Sequence, residues 1–313
     1  MDIVAKFGRD TLAVLYVAKI GNKYLEFVES LQPPFTREEK WVLILSTMFG
    51  CPVKCHICDA GTYYHGKVSV EELYQQIDFL VAQRFPDRVI PVKKFKIQFA
   101  RMGEPALNDN VLQVLTDLPQ RFQAPGLMPC ISTIAPRVSR PFLEELIRIK
   151  KRFYYGGQFQ MQFSIHSTDE ERRRKIIPFK IWDLAEVAEY GERFFMPGDR
   201  KITLNFAAER DSPIDYAIIQ DFFDPEKFLI KITPVNPTER VKAHGVSSMI
   251  TPTSLGQAKQ LKKQLEEKGF EVLISIGELE ENQIGSNCGQ HALKFVNGTY
   301  TIEQFTPYQT LKE

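Results

Sequence analysis

From Val42 onward the chain alternates short β-rich runs with amphipathic segments, and this alternation restricts the fold more than any other feature of the sequence. Val42-Leu43-Ile44-Leu45 is a compact apolar run of strand length. Residues 95–99 and 160–165 alternate at period two, as half-buried strands do. Residues 128–133, 202–206 and 228–232 complete six predicted strands, with a seventh near Val272. Ser69, followed three residues later by Glu72, is a capping-box start for a helix reaching Arg84. Further helices are predicted over 108–118, 139–150, 183–194, 215–222 and 253–268, the last stopped by Gly269. Strands separated by helices imply βαβ units and a parallel sheet with right-handed crossovers. Six units are too few for a closed eight-stranded barrel. The expected fold class is therefore α/β, an open partial (β/α)6 barrel with short extensions at both ends.

Three segments are expected. Residues 1–40 form an N-terminal extension with a small β-hairpin around Ile20-Gly21-Asn22, and residues 41–292 form the partial barrel. Residues 293–313 form a C-terminal hairpin and tail, because Asn297-Gly298 between two alternating runs is a type I′ turn signal. In open α/β sheets chemistry collects at the C-terminal ends of strands. Cysteines after strand one, Gly103-Glu104-Pro105 after strand two, Ser132-Thr133, Ser164-Ile165-His166 and Asn236 all fall there.

Composition narrows the function classes. Forty basic residues against 39 acidic ones leave a net charge of +1. No global field would draw such a chain onto nucleic acid, unlike a domain with pI above ~9. Mean hydropathy is -0.23, and no apolar stretch reaches the ~18 residues of a membrane span. The start, MDIVAKFGRD, lacks the basic and apolar regions of a signal peptide. A cytoplasmic location is expected.

The five cysteines are Cys51, Cys55, Cys58, Cys130 and Cys288. An odd set without a secretion signal is a poor disulfide framework. Three of them fall in the spacing Cys-x3-Cys-x2-Cys directly after the first predicted strand. Thiolates on one short loop suit a soft metal or an iron–sulfur cluster. Structural zinc wants four protein ligands, and the fourth here would be His56, His65, or Cys130 or Cys288 through the fold. Three thiolates on a [4Fe-4S] cluster leave one iron open to a molecule carrying amine and carboxylate groups. Zinc, a cluster and three unrelated buried thiols are the alternatives that spacing alone leaves.

Taken with Gly103-Glu104-Pro105, the cysteine loop resembles that of the radical S-adenosylmethionine (SAM) superfamily. Ile57 stands where the family usually has an aromatic residue. Further blocks resemble one branch, the methyltransferases that act on adenine C2 or C8 of ribosomal RNA and, for some, C2 of tRNA. These blocks are Met102-Gly103-Glu104-Pro105-Ala106-Leu107-Asn108, Ile131-Ser132-Thr133, Ser164-Ile165-His166, Pro234-Val235-Asn236-Pro237 and Asn287-Cys288-Gly289-Gln290. The resemblance implies a [4Fe-4S] cluster on Cys51, Cys55 and Cys58. It also implies SAM contacts from Gly103, Glu104, Ser132, Ser164, Ile165, His166 and Asn236, and cleavage of SAM to a 5′-deoxyadenosyl radical. Cys288 matches a cysteine that is itself methylated and carries the methyl to an sp2 carbon. Glu26 matches a proton-accepting glutamate, with Glu29 an equally available carboxylate. An electron donor such as flavodoxin or ferredoxin is implied as a partner.

Two departures bear on the substrate. The family's resolving cysteine, seven residues before the first cluster ligand, is here Ile44, which leaves Cys130 as the other thiol for product release. Only fifty residues precede Cys51, fewer than the family's accessory RNA-holding domain requires. The one dense basic run, Arg172-Arg173-Arg174-Lys175, reads as a solvated helix face. A small molecule or peptide is therefore expected as substrate rather than large RNA. The alternatives are an RNA adenine methyltransferase of the same chemistry, and a non-enzymatic iron–sulfur or zinc protein.

Overall fold

The structure is a computed structural model, in which residues 1–251, 254–275 and 289–299 are described. Strands β1 (Asp2–Arg9), β2 (Ala13–Ile20) and β3 (Lys23–Ser30) form an antiparallel meander that joins, through β3, the edge of β4 (Trp41–Leu45). Two short strands, β5 (Met48–Gly50) and β6 (Tyr64–Lys67), pair with each other around the cysteine loop. From β4 the main sheet runs parallel through β7 (Phe95–Phe99), β8 (Leu127–Thr133), β9 (Gln160–Ser164), β10 (Ile202–Ala207), β11 (Phe228–Thr233) and β12 (Glu271–Ile274). All six predicted barrel strands and the one near Val272 are present. Among the described residues the two edges, β1 and β12, do not pair with each other. The barrel is open.

Helices α1 (Val70–Arg84), α2 (Asn110–Arg121), α3 (Arg140–Phe153), α4 (Glu170–Ile176), α5 (Leu184–Phe194), α6 (Tyr216–Phe222), α7 (Glu239–Ala243), α8 (Gly256–Glu266) and α9 (Gln290–Val296) follow or flank the strands. Ser69 and Glu72 do form the capping box that starts α1. Strand parity explains the layers. Phe95, Ile97, Phe99, Phe163, Leu204, Phe206, Ile230 and Ile232 alternate outward into one buried apolar cluster with the helices. The opposite parity places Lys96, Gln98, Cys130, Ser132, Gln162, Ser164, Thr203, Asn205, Lys231 and Thr233 on the concave face. That face is polar. Toward the other edge it turns apolar, where Ile44 packs with Leu15, Val17 and Val28.

The two ends differ from expectation. The predicted N-terminal hairpin is part of a three-stranded extension of the main sheet, turning at Gly21 (φ 62°). The C-terminal hairpin and tail expected over 293–313 is corrected at its start, where residues 290–296 are helix α9; residues 300–313 lie outside the described residues. Gly298 (φ 65°) follows the helix, and the Gly298 and Thr299 amides donate back to Phe295 and Lys294 carbonyls. Asn-Gly supplies left-handed backbone equally well to a type I′ turn and to a helix C-terminus. Here it ends a helix.

Candidate active site

Strand β4 delivers the chain into the cysteine loop, and the loop is pinned at every side. The Cys51 amide donates to Tyr63 O at 3.0 Å, and the Cys58 amide to Cys55 O at 3.3 Å. Gly50 takes a φ of 87°, and a Cβ there would lie 2.0 Å from Tyr63 O. A Cβ on Gly61 would lie 2.6 Å from Lys54 Cα, so the loop closes on itself only with glycine at that place. The far end of the sheet also grips it. Arg240 Nε donates to Cys55 O at 3.0 Å and Arg240 Nη2 to Lys54 O at 3.1 Å. Asp59, fully buried, accepts the Glu239 and Arg240 amides of α7 at 3.1 and 2.9 Å. The loop is thereby tied to a helix 180 residues away in sequence.

Cys51, Cys55 and Cys58 line a cavity of about 290 Å³ at the C-terminal ends of the parallel strands. Gly103, Glu104, Ser132, Ser164, His166 and Asn236 line it too. Gly103 (φ 101°) permits close approach, since a Cβ would meet Met48 and Thr47 side-chain atoms at 2.7 Å. Glu104 is buried and held by three donors: the Ala106 amide at 3.0 Å, the Ile134 amide at 3.0 Å and the Thr133 hydroxyl. Even so, burial pushes its carboxyl up to about 7. His166 accepts the Ala207 amide on Nδ1 at 3.1 Å, so its neutral tautomer carries the proton on Nε2. Burial holds its imidazole down to about 4.

Two expected site residues have side chains away from the cavity, and a third lies outside the described residues. Ile165 is fully buried among the core side chains, because it has the parity opposite to Ser164. Cys288 lies outside the described residues. Glu26 does not line the cavity: it is fully buried and accepts Arg101 Nη2 at 2.6 Å. It also accepts the amides of Gly289 at 3.1 Å and of His291 and Ala292 at 2.7 Å. Its contacts tie β3 to the Arg101 turn and to the start of α9. Glu29 is likewise committed, to Arg84 at 2.7 Å and to Trp41 Nε1 at 3.1 Å.

Other details are settled by the same geometry. Cys51, Cys55, Cys58 and Cys130 are thiols rather than disulfides. Cys130 is buried below Ser132 and accepts Gln98 Nε2 at 3.9 Å, so it does not face the cavity. His56 stacks on His244 with centroids 4.4 Å apart and lines a separate surface depression. Within the basic run Arg173 is buried, Arg172 is half-buried, and Arg174 and Lys175 are exposed. Arg172 pairs with Glu209, Arg173 is fully buried and donates to Trp182 O at 2.7 Å, and Lys175 pairs with Glu171 at 2.7 Å. Arg101, Gln162, Asn205, Thr233 and Thr238 also line the cavity. Gln162 and Asn205 carried a readable signal, as polar residues at inward positions of apolar strands.

The residues fit the two implied groups. Burial and the neighbouring Cys51 push the Cys55 thiol up, so a cationic metal centre is what would hold it as thiolate. Among the described residues no group of three His, Cys, Asp or Glu side chains is arranged to hold a single metal ion. A cluster instead takes each cysteine on a separate iron. The buried Glu104 carboxyl is suited to an ammonium, and Ser132, Ser164, His166 and Asn205 supply hydroxyl, imidazole and amide groups for the rest of a polar nucleoside.

No protein-family model matches the chain. It is 26% identical over 278 residues to a probable dual-specificity RNA methyltransferase RlmN of Thermus thermophilus, covering 85% of this chain and 71% of that one. A probable RlmN of Deinococcus deserti is 24% identical over 277 residues, covering 85% and 74%. In fold the chain is similar to a radical SAM methyltransferase from Sphaerobacter thermophilus, with a TM-score of 0.70 at 16% identity over 92% of this chain and 80% of the other. No helix among the described residues is long and apolar enough to cross a membrane.

Proposed function

We propose that this chain, a radical SAM enzyme related to the RlmN methyltransferases, transfers a methyl group to an sp2 carbon by way of Cys288. One observation carries the reading. Gly289, the residue bonded to Cys288, is seated against the segment that follows Cys58, where a Cβ on it would lie 2.5 Å from the Ala60 amide nitrogen. Gly289 and the segment after the cluster loop thus meet, although 229 positions separate Ala60 from Gly289 in the sequence, and this supports a role for the neighbouring Cys288.

Cys51, Cys55 and Cys58 hold the cluster, and Glu104 receives the SAM ammonium. When bound, these two groups supply the electron, the hydrogen-abstracting species and the methyl group. The remaining work belongs to the chain. His166 presents Nε2–H, and Glu26 with Arg101 fixes the segment after Cys288.

The substrate is a small molecule or a peptide. Net charge near zero, the burial of Arg173 and the pairing of Arg172 with Glu209 support this. The RNA-directed names of the relatives favour the other reading, in which the acceptor is an adenine of RNA. Tight, salt-dependent RNA binding would select that second reading. Mass spectrometry of the Cys288 peptide after anaerobic incubation with SAM and reductant tests the methyl route. An added methyl on Cys288 is expected, and an unmodified Cys288 with turnover of SAM would overturn it.

A further inference from the structure

The other end of the partial barrel holds a set of cations that the proposed chemistry does not use. Lys96 is the second residue of β7 and shares the inward parity of Gln98 and Ala100, of which Ala100 lines the active-site cavity. It is more than nine-tenths buried, with 7% exposed, and among the described residues its ammonium has no hydrogen-bond or ion-pair partner. Lys231, inward on β11 beside Asn205, is half-buried. Burial and the charge of Lys96 hold its ammonium below the usual range. Lys94 enters β7 from the N-terminal rim, where burial and the charges of Arg200, Lys40 and Lys96 bring it down to about 8. Lys40 answers to Lys96, Lys231 and Arg200 in the same way.

The face contains a further unmet polar group. Thr203 Oγ1, inward on β10 at the level of Gln162, is buried without a partner. The carboxylates on this face among the described strands stand at its edges. Glu26 is committed to Arg101 and α9, and Glu271 is exposed on β12. Buried ammonium groups left without a counter-charge destabilise a fold. Converging cations of this kind suit a compact polyanion, because it would restore their charge and accept their protons' hydrogen bonds.

We propose that Lys96 and Lys231, with Lys94 and Thr203 beside them, form a binding site for the phosphate group of a small molecule inside the partial barrel. The site lies on the N-terminal side of the SAM-type cavity, so it admits a phosphorylated metabolite or nucleotide rather than a polymer backbone. The proposal does not depend on the cluster or on Cys288.

The test is calorimetric titration of the full-length chain with inorganic pyrophosphate at fixed ionic strength, with citrate as the carboxylate arm. One saturable site is expected for pyrophosphate, weakened at least tenfold in Lys96→Met and in Lys231→Met and unchanged in Lys175→Met on the outer face. Citrate binding as tightly as pyrophosphate, with the same variant pattern, would overturn the assignment to phosphate. A melting scan accompanies it: ligand-free Lys96→Met melts at or above the wild-type temperature, and pyrophosphate raises the melting point of wild type alone. Absence of wild-type binding, equal binding by both lysine variants, displacement of pyrophosphate by SAM, or binding of RNA oligomers without pyrophosphate would each overturn the proposal.

Discussion

Arg101 and Glu26 form a buried ion pair, with Arg101 Nη2 2.6 Å and Nε 3.0 Å from one Glu26 oxygen, across 75 residues of sequence. Arg101 comes from the end of β7 and lines the active-site cavity. Glu26 comes from the antiparallel extension and holds three amides at the start of α9. Through this pair the N-terminal meander, the Gly103-Glu104 turn and the residue after Cys288 become one unit.

Breaking the pair from one side leaves a buried charge without its partner, which costs about 3–5 kcal/mol. Glu26→Ala is expected to lose stability in that range and to lose Cys288 methylation, while its iron content after reconstitution stays at the wild-type level. Arg101→Met should lose a similar amount. The double variant should fall short of the sum by more than ~1 kcal/mol, because the two side chains share one interaction. Urea unfolding of the four proteins measures this, and additive losses would contradict the coupling.

Gly289 offers a separate handle on the same segment. Its φ is 85°, and a Cβ would meet Ala60 N at 2.5 Å and Ala60 Cα at 2.6 Å. Gly289→Ala therefore combines left-handed strain of about 1–3 kcal/mol with a backbone clash that must move α9 or the cluster loop. The expected variant reconstitutes iron but no longer methylates Cys288, as peptide mass spectrometry would report. Unimpaired methylation would show that this contact does not place the cysteine.

Glu104 predicts a pH dependence. Its carboxyl is pushed up to about 7 by burial, so below that pH the cofactor-free protein holds it largely protonated. An ammonium ligand favours the ionised form. SAM affinity should therefore rise between about pH 6 and about pH 7.5, by no more than roughly tenfold per unit. For the ligand-free fold the sign is opposite. A raised carboxyl stabilises below its ordinary range, and that contribution is lost as the pH climbs through about 7. Equilibrium SAM binding across this window checks the first statement, and Glu104→Gln should bind weakly with no slope.

Much of this arrangement could be read from the sequence, and what escaped has a common physical cause. Period-two runs gave the parallel strands, and the cysteine spacing gave the loop, because both signals are local. Strand parity turns the Ile165 side chain away from the face that Ser164 shares, so any contact it makes there is through its backbone. Asn297-Gly298 signalled left-handed backbone correctly, but local sequence does not say whether a strand or a helix precedes it. Glu26, Asp59, Arg240 and Arg101 act through partners that the fold alone brings near, the Glu26–Gly289 contact spanning 263 residues. Nothing in the immediate neighbourhood of Glu26 marks it as the anchor of α9.

The most direct measurement is electron paramagnetic resonance of the anaerobically reconstituted, reduced protein with and without SAM. A reduced [4Fe-4S] signal whose shape changes on adding SAM, and which is lost in Cys55→Ala, is the predicted result. A metal centre with four protein ligands, or a cluster signal indifferent to SAM, would contradict the account.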